Sequence, residues 1–148
     1  MSLKETLLND MKEAMKSKDT IRKNTIQLVR SGVLQVEKDN RIELDDAGIL
    51  EVVAKELKHR RDALPQYEKS GRSDLIEGLK KEIEILLDYL PKQLTENEIS
   101  DLIEQTIAEV QAASMKDMGK LMAALSPKIK GRADTRLVST LVKARLSK

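Results

Sequence analysis

Few side chains in this sequence belong to the types that enzymes use as nucleophiles, bases or metal ligands. The only histidine is His59, which lies in a run of basic residues, and cysteine is absent. One histidine without cysteine cannot supply the usual zinc ligand sets, nor can it easily complete a nucleophile–base–orienter arrangement. Its offset from the apolar positions Leu57 and Leu64 favours a solvated helix face. We therefore expect no catalytic residue, no metal site and no cofactor.

Two further patterns are only superficially suggestive of chemistry. Glu82 and Glu84 are close in sequence, but paired carboxylates of this kind are common on helix surfaces. Gly119-Lys120 resembles the end of a phosphate-binding loop, yet it lacks the upstream glycine and the Ser or Thr after the lysine. It also falls within a predicted helix. We expect a protein that is not an enzyme on its own.

The strongest chemical signal is positive charge near the C-terminus. Residues 116–148 contain nine basic and two acidic side chains, a net charge of +7, whereas the first 115 residues carry −5. Lysine and arginine that neutralise phosphates release counterions, which gives sequence-independent and salt-sensitive affinity for nucleic acids. Composition alone fits a solvated surface equally well. The candidate RNA-binding residues are Lys120, Lys128, Lys130, Arg132, Arg136, Lys143 and Arg145.

Aromatic residues restrict the kind of nucleic acid that this protein could recognise. Tyr67 and Tyr89 are the only two, with no phenylalanine and no tryptophan. Proteins that read single-stranded RNA by sequence usually stack the bases on aromatic side chains. An RNA partner would therefore be recognised through its backbone and its shape.

The elements that must position these residues are predicted to be helices throughout, because apolar residues recur with helical period and no segment shows sustained alternation. We expect an all-α protein, with a four-helix N-terminal domain over residues 1–91 and a three-helix C-terminal domain over residues 92–148. Ser2 with Glu5, and Thr95 with Glu98, have the spacing of capping boxes that begin helices.

Prolines and polar residues predict where the other helices begin and end. Pro65 should kink or end the third helix, although Ser70-Gly71 is its clearer stop. Pro91 should terminate the fourth helix, and Pro127 should follow the short sixth helix. Ser73 and Asp134 are the expected caps of the fourth and last helices. The apolar stripes predicted to be buried include Met11, Met15, Leu28, Leu75, Met118, Met122 and Leu137.

Three short motifs in the C-terminal part resemble a known domain. They are Asp117–Met122, Lys130–Asp134 and Leu137–Val142. This pattern is similar to the tail domain that ends the B subunit of the tRNA-dependent Asp/Glu amidotransferase. In that family a G-K-x-M helix precedes a G-[KR]-A-D turn and a final helix.

Motifs in the preceding part resemble the YqeY-like family, in which the same tail follows a helical N-terminal domain. They are Arg61-Asp62, Gly71–Leu75, Glu82-x-Glu84 and Tyr89–Leu94. The two resemblances together cover essentially the whole chain.

The resemblance implies an accessory role with tRNA, in which Lys120, Lys130, Arg132 and Arg136 belong to the contact surface. It does not transfer the amidotransferase's chemistry, whose catalytic core is missing, so a carbon–nitrogen ligase label would describe the parent complex. The alternative is a protein-interaction module that docks an aminoacyl-tRNA synthetase or amidotransferase without contacting RNA. Many family members have glycine where this chain has Thr135, which leaves the local turn geometry open.

Location is predicted from what the chain lacks. Without cysteine a cytoplasmic location is easiest to reconcile. The first residues do not resemble a signal peptide. No run approaches the roughly 18–20 apolar residues that cross a bilayer. We therefore expect a cytoplasmic protein without a membrane partner.

Overall fold

The computed structural model describes residues 2–147, and in that range every regular element is a helix, so the predicted all-α class is confirmed. A short 3-10 turn, Met115–Asp117, precedes the sixth α-helix. The α-helices are α1 (Leu3–Lys16), α2 (Thr20–Asn40), α3 (Asp46–Ser70), α4 (Ser73–Leu87), α5 (Glu96–Val110), α6 (Met118–Ile129) and α7 (Thr135–Leu146).

Both predicted capping boxes are confirmed. At α1 the Glu5 N–H donates to Ser2 Oγ at 3.2 Å, and the Ser2 N–H donates to Glu5 Oε2 at 3.4 Å. At α5 the Glu98 N–H donates to Thr95 Oγ1, and the Thr95 N–H donates to Glu98 Oε1, each at 3.1 Å. These bonds satisfy backbone donors that have no partner inside the helix.

The predicted stop of α3 at Ser70-Gly71 is confirmed, whereas the expectations for Pro91, Pro127 and Ser73 are wrong in detail. α3 continues through Pro65 to Ser70, and α6 contains Pro127. A proline removes one backbone donor, and packing of the rest of the helix can outweigh that loss. α4 ends at Leu87, and a turn that begins at Asp88 separates it from Pro91. Ser73 is the first residue of α4 rather than its cap. The cap is Arg72, whose side chain makes no capping hydrogen bond.

The chain divides into two compact units, and the N-terminal unit, Met1–Leu90, contains α1 to α4. α2 and α3 approach closely at Gly32, where an added Cβ would lie 3.1 Å from Val52 Cγ1. The Tyr89 hydroxyl donates to Asp10 Oδ2 at 2.5 Å and ties the end of this unit to α1. The buried core consists of Leu7, Ile26, Val29, Val33, Ile49, Val53, Leu57, Ile85 and Leu86.

The C-terminal unit, Pro91–Lys148, contains α5, α6 and α7 around a core of its own. Thr106 is also buried, and its hydroxyl donates to the Leu102 carbonyl at 2.7 Å, so its polar atom is satisfied. The apolar core residues are Ile99, Ile103, Leu121, Leu125, Ile129, Val138, Val142 and Leu146.

Several positions that the helical period assigned to buried stripes are exposed. Met15, Leu28, Leu75 and Leu137 have exposed fractions of 56%, 51%, 45% and 39%. Helical period identifies the side of a helix that is apolar, but the neighbouring helices decide how wide a strip they cover. Met11, Met118 and Met122 do pack against the cores, as predicted. Within residues 2–147 no helix has the length and apolar character needed to cross a bilayer.

Candidate nucleic-acid interface

The candidate interface is built around the turn between α6 and α7. Gly131 has a φ of 72°, a conformation that glycine adopts without steric cost. The N–H groups of Arg132 and Ala133 both donate to the Ile129 carbonyl, at 2.8 and 3.2 Å, and close the turn. Lys130 and Arg132 are exposed on either side of Gly131.

Gln93 and Leu94, in the segment that precedes α5, form hydrogen bonds to this turn. The Leu94 N–H donates to the Arg132 carbonyl at 2.7 Å, and Gln93 Nε2 donates to the Gly131 carbonyl at the same distance. Two carbonyls of a tight turn are thereby satisfied by residues almost forty positions away. The turn is therefore constrained by tertiary contacts as well as by its own bonds.

Thr135 is the first residue of α7 and is absent from the residues with positive φ, so this position does not require glycine. Asp134 caps the helix as predicted, because its Oδ1 accepts the Arg136 N–H at 3.0 Å. The cap occupies one of the donors at the start of α7 that a phosphate could otherwise use. Side chains must therefore provide most of any phosphate contact here.

Six of the seven predicted RNA-binding residues are exposed, although one of these six, Arg145, is paired with Glu104. Arg136 and Lys143 are seven positions apart on α7 and therefore lie on one face of it. Lys120 is exposed near the beginning of α6, and Lys130 and Arg132 are exposed in the turn. These five residues all belong to the C-terminal unit.

The other two predicted residues are engaged inside the unit. Lys128 Nζ donates to Glu109 Oε2 at 2.8 Å and to Thr106 Oγ1 at 3.0 Å. Arg145 pairs with Glu104 through two hydrogen bonds, of which the Nη2–Oε2 bond measures 3.3 Å. Both acids lie on α5, so Lys128 and Arg145 are paired with that helix, although Arg145 is itself exposed.

Charge in the C-terminal unit is consequently more balanced than the last 33 residues alone indicate. α5 contains five acidic residues and no basic one, and the unit has ten basic and seven acidic side chains, a net charge of +3. The charge of +7 on residues 116–148 is partly neutralised by the helix that packs against them.

Two carboxylates of the C-terminal unit have lowered pKa values, chiefly because of the hydrogen bonds that they accept. The pKa of Asp117 is lowered, chiefly because its carboxylate accepts the Ala113 N–H at 2.7 Å and the Ser114 N–H at 3.2 Å, with Lys120 adding to the effect. The pKa of Glu98 is lowered mainly by its bonds within the Thr95 capping box.

Sequence reasoning missed two residues of this region. Lys92 is exposed, and its charge acts on Glu98 together with that of Arg132. It was overlooked because it lies 24 positions before the basic segment. Gln93 was recognised only as part of a family motif, and no local pattern predicts that its amide reaches Gly131.

No alternative chemical site emerges from residues 2–147. His59 is exposed on α3, as predicted, and Gly119-Lys120 lies within α6 rather than in a loop. Glu82 faces Arg60, with 3.6 Å between Oε1 and Nη2. Over the described part of the chain, no group of three or more histidine, aspartate or glutamate side chains is arranged to hold a metal ion.

Comparison with known proteins identifies the family. Residues 4–146 match the family described as Yqey-like protein. The chain belongs to the YqeY-like family. The match covers both units and confirms the resemblance seen in the sequence motifs.

Individual relatives of this YqeY-like chain include proteins named for mitochondrial inheritance and a subunit of a tRNA amidotransferase. "Altered inheritance of mitochondria protein 41, mitochondrial" from Lachancea thermotolerans is 32% identical over 73% of the chain and 59% of the relative. The protein of the same name from Pyrenophora tritici-repentis is 26% identical over 88% of the chain and 73% of the relative. A glutamyl-tRNA(Gln) amidotransferase subunit from Thermococcus gammatolerans is 37% identical over 40% of the chain and 10% of that protein.

The predicted cytoplasmic location is wrong, because the relatives from Lachancea thermotolerans and Pyrenophora tritici-repentis, among others, are named as mitochondrial proteins. The prediction rests on the absence of cysteine, which excludes disulfides but does not separate one compartment without disulfides from another. The chain spans about half the length of the first two curated relatives, 59% and 45%.

Proposed function

We propose that this YqeY-like protein is an accessory factor that binds folded tRNA through its C-terminal unit. The observation that carries the proposal is the constrained turn between α6 and α7, which presents exposed cations and continues into a basic face of α7. The residues assigned to phosphate contact are Lys120, Lys130, Arg132, Arg136 and Lys143.

The composition of the C-terminal unit favours recognition of backbone and shape. Tyr67 and Tyr89 both belong to the N-terminal unit, so residues 91–148 contain no aromatic side chain on which a base could stack. Lysine and arginine can still bind the phosphates of an A-form helix, whose deep major groove does not admit side chains. Folded tRNA, which is largely helical, fits this surface better than single-stranded RNA does.

The relative named as a tRNA(Gln) amidotransferase component supports a role connected with tRNA. We do not extend the amidotransferase reaction to this chain, because the match covers only 10% of that relative. The proposed protein binds and positions tRNA for other proteins and has no catalytic activity on its own.

The test is charge reversal at the turn. Arg132→Glu with Arg136→Glu should weaken binding to a bulk tRNA pool about 10-fold or more at low salt, since two phosphate contacts become repulsive. The matched control is Lys12→Glu with Lys38→Glu, which changes the charge equally at exposed positions of the N-terminal unit. Affinity is measured by fluorescence anisotropy, and circular dichroism checks that both double variants are folded.

Equal affinity of the two double variants would refute the assigned surface. Wild-type binding no stronger than that of a neutral control protein would refute tRNA binding altogether.

A second candidate function is protein interaction without RNA contact, in which the N-terminal unit docks a synthetase or an amidotransferase. It is favoured by the large apolar side chains exposed there, of which Met15 and Leu34 are 56% and 60% exposed. Co-purification of such a partner that persists after nuclease treatment and high salt, together with no tRNA binding, would support it over the first proposal.

A further inference from the structure

A small groove lies between α1, α2 and the beginning of α3 in the N-terminal unit. Its floor is apolar, because Leu7, Val33 and Ile49 are exposed by only 1%, 3% and 1%. The enclosed volume is about 100 Å³. The lining residues are Lys4, Leu7, Arg30, Val33, Leu34 and Ile49.

The size of the groove indicates the kind of group that it can accept. Pockets for small-molecule ligands usually measure roughly 300–1,000 Å³, so this groove is too small for a cofactor or metabolite. It can take one aliphatic side chain. Leu34 stands at its rim with 60% of its surface exposed, which extends the apolar surface outward.

The charge at the rim is incompletely compensated. Lys4 Nζ donates to Glu37 Oε2 at 2.7 Å and is thereby neutralised. The guanidinium of Arg30 instead donates to Met11 Sδ at 3.5 Å, and within residues 2–147 it has no carboxylate partner. A thioether is a weak acceptor that leaves the charge in place. Arginine binds carboxylates best, through two parallel hydrogen bonds.

Arg30 and Leu34 are four positions apart on α2, so the cation and the apolar rim lie on one face about one turn apart. From this juxtaposition we infer that the groove docks an amphipathic helix of a partner protein. Its aliphatic side chain fills the groove, and an Asp or Glu one helical turn away pairs with Arg30. Helix-in-groove recognition uses anchors with this spacing.

The test begins with display of a library of 16-residue helical peptides, selected on the full chain. Enriched peptides should carry an acid three or four positions from a Leu, Ile or Met. Arg30→Glu and Leu34→Asp should each weaken their binding about 10-fold or more. Leu28→Asp is the matched control, because Leu28 is exposed on α2 but lies on a different face. Replacing the acid of the peptide by lysine should restore binding to Arg30→Glu.

Enriched peptides without an acid, or equal binding to Arg30→Glu and the wild type, would overturn the inference. Self-association of the full chain that Leu34→Asp abolishes, seen by sedimentation, would also overturn it, because a second copy would then cover the groove. The tRNA affinity of Leu34→Asp should equal that of the wild type. The outcome therefore does not depend on whether the proposed RNA surface is correct.

Discussion

At the residue scale, the uncharged side chain of Gln93 helps to hold the turn that presents the basic residues proposed to contact RNA. The Gln93 amide binds the Gly131 carbonyl and, with the Leu94 N–H on Arg132, determines the path of the turn. A cation on an unconstrained turn would lose more conformational entropy on binding RNA. Gln93 therefore acts as a positioning residue in the proposed function.

Replacing Gln93 by alanine removes one hydrogen bond to the turn. We expect the free energy of unfolding to fall by about 0.5–1.5 kcal/mol and tRNA to bind a few-fold more weakly. Urea unfolding and fluorescence anisotropy measure the two effects. Gln105→Ala, at an exposed position of α5, is the control and should change neither quantity. A Gln93→Ala protein with unchanged stability would contradict the positioning role.

Tyr89 provides a pH-dependent contribution in the N-terminal unit. Burial, and then the hydrogen bond to Asp10, raise the pKa of its hydroxyl above the ordinary value. Both the folded and unfolded states keep this proton below about pH 10, so the stabilisation is complete there. As the pH rises further, the unfolded state ionises first and the stabilisation is lost.

We therefore expect Tyr89→Phe to destabilise the protein by about 1–2 kcal/mol at pH 8, since a bond to a charged acceptor is lost. The difference from the wild type should shrink as the pH rises above 10, and urea unfolding at pH 8 and pH 11 measures it. Tyr67→Phe, at an exposed position, is the control. A difference that stays constant over this range would contradict the assignment to Tyr89.

At the element scale, α3 keeps its helical path across Pro65 and ends only at Ser70, followed by Gly71 with a φ of 70°. The proline removes the hydrogen bond to the carbonyl four residues earlier and crowds the preceding turn. The helix tolerates this cost because Ile49, Val53 and Leu57 are buried in the core. Most helical stability in proteins comes from such packing rather than from local propensity.

Pro65→Ala should consequently stabilise the protein, by about 1–3 kcal/mol, because it restores the missing bond. The gain is reduced by the greater freedom of the unfolded chain without proline. The midpoint of urea unfolding is the measurement. Gln66→Ala, at the next and exposed position, is the matched control and should have little effect. A destabilised Pro65→Ala protein would show that the proline contributes a specific native contact.

At the scale of the whole molecule, the distribution of charge predicts the salt dependence of tRNA binding. If the five cations assigned to phosphate contact each neutralise one phosphate, the logarithm of affinity should fall with the logarithm of salt concentration with a slope of about −3.5 to −4.5. Lys143→Gln should reduce this slope by nearly one. Lys128→Gln should change it little, since Lys128 already pairs with Glu109. Equal effects of the two substitutions would show that Lys128 also contacts phosphate.

The sequence by itself determined the helical class, the capping boxes at Ser2 and Thr95, and the family. These features are carried by residues three or four positions apart, whose interactions are local. The prolines did not predict the helix ends reliably, because Pro65 and Pro127 lie inside α3 and α6. Packing of these helices outweighs the local tendency of proline to end a helix.

Only the tertiary structure decided that Lys128 and Arg145 pair with residues of α5. Lys128 and Arg145 resemble the other cations of the segment, yet they bind Thr106, Glu109 and Glu104 on α5. Gln93 likewise reaches a carbonyl 38 positions away. Such pairings depend on which helix faces meet when the core forms, and helical period specifies the apolar side of each helix but not the polar residue that lies opposite.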